Sequence, residues 1–132
     1  MKIPALLVLE EFFGVAPEVH GPSDEDLFYN RITFSAEVDG DTIWFETSPF
    51  AASAHLRLSL RPFRIVDFWF REVVEVSVRK TAADHNLFIH YGPAGEGECN
   101  VKLRPHIMVF QSNFREQAEV PLLSDANGEE ED

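Results

Sequence analysis

Two acids and a tryptophan have the spacing best suited to chemistry. Glu37 and Glu46 lie on either side of Asp39-Gly40-Asp41, with Trp44 between them. Two carboxylates about 5–10 Å apart can divide acid and base roles in glycoside hydrolysis, and an indole beside them offers a sugar platform. On a flat sheet the same residues are solvent-side strand positions, a composition that suits contact with another protein. The second reading is preferred, because acids are abundant in this chain and pairs of them arise by composition alone. With Thr33 and Ser35 on the neighbouring run, the candidate contact patch is Trp44, Glu37, Glu46, Thr33 and Ser35.

Other reactive residue types are scattered. His20, His55, His85, His90 and His106 include no His-x-His pair that would set two rings on one strand face, so no metal site is expected. A ligand cavity around Trp44 would recruit His90 as its histidine. Cys99 shares a strand face with Val101 and Leu103 and has no activating neighbour in sequence, so it reads as a small buried residue rather than a nucleophile. Gly95 and Gly97 are interleaved with Glu96 and Glu98, with no helix pattern following, which fits a hairpin connection and not a phosphate cradle. No catalytic residue and no cofactor is expected. Arg57, Arg61, Lys102 and Arg104 would form an anion-binding face only if their strands were adjacent.

The elements that must position these residues are strands. Ile32–Val38 and Thr42–Thr47 alternate apolar and polar residues around an Asp-Gly turn, a strong hairpin signal because both turn residues tolerate positive φ. Turning at Asp39-Gly40 sets Phe34 opposite Phe45, Ala36 opposite Ile43 and Thr33 opposite Glu46. Leu56, Leu58 and Leu60 alternate with Arg57, Ser59 and Arg61 before Pro62 ends the run. Residues 64–71 and 73–80 read as strands separated by a bend near Arg71-Glu72, since their β-branched density disfavours a single helix over 63–80. Trp69 lies in a run that is apolar on both faces and is expected to be buried. Leu87–Tyr91, Cys99–Leu103 and His106–Phe110 supply further strands. Met1–Leu9 reads as a strand rather than a leader, and residues 14–30 as a long loop with one helical turn capped by Ser23.

This pattern predicts an all-β fold, an antiparallel β-sandwich or small β-barrel of about eight strands with at most one short helix. Residues 1–118 are expected to form a single domain, followed by an acidic, disordered tail over 119–132. The net charge of −12 is uneven: residues 1–50 hold ten acids and two bases, residues 51–118 seven and nine, and residues 119–132 six acids and no base. Such a balance disfavours direct nucleic-acid binding, and no apolar run is long enough for a membrane helix. A single cysteine fits a reducing, cytoplasmic setting. The expected function is non-enzymatic, through contact with a protein partner or a homo-oligomer, as an adaptor, inhibitor or self-assembling subunit. The alternative is a small-molecule or carbohydrate site, with Trp44, Glu37, Glu46 and His90 converging on one cavity.

Overall fold

The computed structural model describes residues 1–21, 27–113, 123–124 and 126–127; Ser23 and nearly all of the acidic tail lie outside them. Among the described residues, nine strands form two antiparallel sheets. One is ordered β1 (Glu18–His20), β2 (Arg31–Val38), β3 (Asp41–Ser48), β4 (Ser53–Leu60), β5 (Arg64–Phe70). The other is ordered β6 (Val73–Lys80), β7 (His85–Tyr91), β8 (Gly97–Lys102), β9 (Met108–Asn113). The chain therefore stays in one sheet until Phe70 and in the other from Val73. Arg71-Glu72, expected as a bend, is the crossing between the two layers, and Glu72 takes a left-handed φ of 54° there.

The β2–β3 hairpin pairs Phe34 with Phe45, Ala36 with Ile43 and Thr33 with Glu46, as the alternation requires. Asp39 and Gly40 both have positive φ, 53° and 86°, the two-residue turn that matches strand twist. Gly40 has a second reason to lack a side chain: the Arg61 guanidinium lies where its Cβ would be and donates to the Asp39 carbonyl. Leu56 and Leu58 point inward from β4, while Arg57 and Ser59 point out. On the facing sheet, Val76, Leu87, Ile89, Cys99 and Val101 complete one continuous core. Burial pushes the Cys99 thiol up to about 12, with help from the nearby charge of Glu98.

The N-terminus departs from the expected strand. Leu6–Phe13 is an α-helix, α1, followed by Gly14 in the left-handed conformation, whose N–H donates to the Glu10 carbonyl at 2.7 Å. The spacing of Leu6, Leu9 and Phe13 repeats with the helical period, and Leu9, Phe12 and Phe13 are buried. Phe13 stacks on Phe34 at 4.8 Å and on Phe45 at 5.6 Å between ring centroids, and Phe12 meets His85 edge-on at 5.1 Å. The helix thus touches both sheets at one end of the sandwich, where Glu11 also pairs with Lys80 at 2.8 Å. Within residues 14–30, expected as a long loop with one helical turn, the described residues hold the short strand β1 and a 3₁₀ turn at Leu27–Tyr29, while the expected Ser23 cap lies outside them.

Two outcomes follow from this core. Phe13→Ala should destabilise the protein by about 3–5 kcal/mol, measured by urea unfolding, because its cavity opens between two stacked rings. Cys99 should resist a thiol reagent at pH 8 in the native protein and react at once in denaturant.

Candidate functional site

The outward side chains of the five-stranded sheet form rows fixed by strand register. One row runs Ser35, Trp44, Arg57, Asp67, and the next runs Thr33, Glu46, His55, Trp69. Trp44, Glu37, Glu46, Thr33 and Ser35 all project from the outer side of one hairpin. Ser35 and Glu37 are exposed, Trp44 and Glu46 are half-buried, and Thr33 is buried beneath the β1 edge, opposite Glu18. Arg31 Nε holds Glu46 at 2.9 Å.

The structure adds residues that the patch lacked. His55 is only 6% exposed although it lies on the outer face, because indoles cover it from two sides. Its ring stacks on Trp69 at 3.5 Å and 16°, and Trp44 meets it edge-on at 5.0 Å. One oxygen of Asp67 joins two neighbours, His55 Nε2 at 2.9 Å and Arg57 Nε at 2.9 Å. The Arg57 hydrogen bond, and after it that of His55, hold the Asp67 carboxyl below its ordinary range. The site is an indole–imidazole–indole cluster, one pair stacked and one edge-on, with a carboxylate and a guanidinium fixed beside it.

Trp69 corrects the expectation of burial: it is 70% exposed. Strand β5 is at the sheet edge, so Phe70 is buried and Val66 and Phe68 half-buried on the inner side, while Ile65 and Trp69 face out. A run that is apolar on both faces looks like a central strand in sequence, but here only one face has a second layer. The signal for His55 was available: the alternation that turns Leu56 and Leu58 inward turns His55 and Arg57 outward. A β4–β5 hairpin around Pro62 then sets Arg57 opposite Asp67.

Residues proposed for a ligand cavity do not converge. Glu46 is opposite Thr33, four positions along β2 from Glu37, which separates the two acids by about 13 Å along the strand. That exceeds the reach of a carboxylate pair in hydrolysis. His90 is in the other sheet, beside Glu98 at 3.5 Å. The four basic residues are likewise divided. Arg57 on β4 and Arg61 in the turn after it pair with Asp67 and Asp41, while Lys102 ends β8 in the other sheet, paired with Asp84, and Arg104 lies just beyond it. Among the described residues, no group of three or more His, Cys, Asp or Glu is placed to hold a metal ion.

The outer face accordingly carries aromatic surface at its centre, with paired charges around it. No helix of the described residues is long and apolar enough to cross a membrane. No protein-family model matches the chain, and no curated protein matches it in sequence. Among solved structures, the fold is similar to that of a chain from a contact-dependent growth inhibition toxin–immunity protein complex of Klebsiella pneumoniae 342. The TM-score is 0.69 at 18% identity over 84% of this chain and 95% of that one, a likeness of fold.

Proposed function

We propose that this protein works by protein–protein contact as an immunity-type inhibitor, which occupies and neutralises a basic toxin domain through the outer face of its five-stranded sheet. The observation that carries this reading is the cluster in which His55 stacks on Trp69 and meets Trp44 edge-on, on an outer sheet face. Tryptophan held rigid on a flat face supplies large contact area at small entropic cost, the usual composition of an interface hot spot. Arg31–Glu46 and Arg57–Asp67 form a paired charged rim around it. A fold shared with a chain of a toxin–immunity complex supports the same reading.

The contact residues are Trp44, Glu37, Glu46, Thr33 and Ser35, extended by His55, Trp69 and Asp67. Residues 1–118 act as one domain, and the acidic tail over 119–132 adds long-range attraction for a basic partner. A net charge of −12 accelerates encounter with such a partner and opposes nucleic acid as a direct ligand. The lone buried thiol is consistent with work in the cytoplasm.

The test is co-expression and co-purification with the product of the neighbouring gene. A stable complex that abolishes that product's toxicity is expected, with association slowed by added salt. Trp44→Ala should weaken the complex by about 2 kcal/mol, close to thirtyfold in Kd by isothermal titration calorimetry, with the variant still folded by circular dichroism. Full toxicity in the presence of the folded protein, or a Trp44→Ala complex of unchanged affinity, would remove the proposal.

A further inference from the structure

The end of the second sheet that α1 touches carries a cavity whose charge is opposite to that of the chain. Strands β6 and β7 are joined there by a turn over residues 81–84, and β8 ends beside it at Lys102. A cavity of about 230 Å³ is lined by Lys80, Thr81, Asp84, His85, Lys102 and Arg104, with two alanines of the turn. Three permanent cations thus face one carboxylate, in a chain with 11 bases and 23 acids. The turn is closed without using any of them: Thr81 N–H donates to the Asp84 carbonyl at 2.7 Å, and the amides of Ala83 and Asp84 donate to Thr81 Oγ1 at 3.3 and 3.0 Å. Asp84 Oδ1 accepts from Lys102 Nζ at 3.0 Å and holds that ammonium at the turn. His85 packs edge-on against Phe12 at 5.1 Å, which fixes its ring. Lys80 pairs with Glu11, but both side chains are more than half exposed, and such a pair yields readily to a stronger acceptor. Arg104 has no ion-pair partner among the described residues.

We infer that this cavity binds a small phosphate monoester, with Lys80, Lys102 and Arg104 on its phosphate group. Charge selects the ligand class. Once Lys80 leaves Glu11, three cations set against Asp84 leave two positive charges in the cavity, which a dianion neutralises and a single carboxylate does not. A phosphate monoester carries close to two negative charges at neutral pH and presents three terminal oxygens. The Arg104 guanidinium offers a planar fork that binds two of those oxygens together, while the two ammonium groups act as point charges. The volume lies below that of pockets for drug-sized molecules and suits a phosphate with a short carbon chain. Lys102 and Arg104 therefore do belong to an anion site, but with Lys80 and not with Arg57 and Arg61. The site is in the other sheet from Trp44 and does not depend on the inhibitor reading.

Amide NMR of the full chain, titrated at constant ionic strength with inorganic phosphate and with glycerol 3-phosphate, tests it. Saturable shifts confined to residues 80–85 and 102–104 are expected with both. Arg104→Ala should raise either dissociation constant by about tenfold or more, the size expected when hydrogen bonds to a charged group are lost, and Arg104→Lys by less, with circular dichroism unchanged. Shifts that do not saturate, or that chloride and acetate reproduce at equal concentration, overturn the inference, as does an Arg104→Ala chain that binds both phosphates as before. A response to an RNA oligonucleotide without any response to glycerol 3-phosphate would assign the cavity to nucleic acid and overturns it as well.

Discussion

Phe13 packed on Phe34 and Phe45 is the contact on which the arrangement of the rest depends. Strand side chains alternate, so burying Phe34 and Phe45 under the helix forces Ser35, Trp44 and Glu46 to the other side. Register carries that choice outward strand by strand. Trp44 aligns with Arg57 and then Asp67, while Glu46 aligns with His55 and then Trp69. A slip of one residue anywhere in this series would bury Arg57 and expose Leu56, a penalty of several kcal/mol for the buried charge alone. The composition of the outer face is therefore decided by a helix that lies behind it.

Where local pattern and tertiary context agree, the sequence was readable. The hairpin at 32–47, the leucine alternation at 56–60 and the buried Cys99 face each depend on a period of two with one side apolar, and each stands in the structure with its expected faces. Where a short apolar run satisfies two periods, it was not. Leu6–Phe13 is apolar enough for a strand, and only its contacts with both sheets select the helix. Trp69 failed for another reason: exposure of an edge strand depends on sheet order, which no local pattern encodes. His55 was visible in the alternation of β4 but had no meaning until β5 brought Asp67 and Trp69 beside it.

The electrostatics of the face differ from those of the chain. Net charge is −12, yet two acids at the centre of this surface are already matched, Glu46 by Arg31 and Asp67 by Arg57 and His55. Long-range attraction fades over about 8 Å at physiological ionic strength, so unmatched acids elsewhere govern encounter and not the final fit. Fit depends on the indoles and on whether a partner can exchange into the existing pairs. Exchange of this kind discriminates, because an approaching base must replace Arg57 at Asp67 in the same geometry or leave one of the two guanidiniums unpaired.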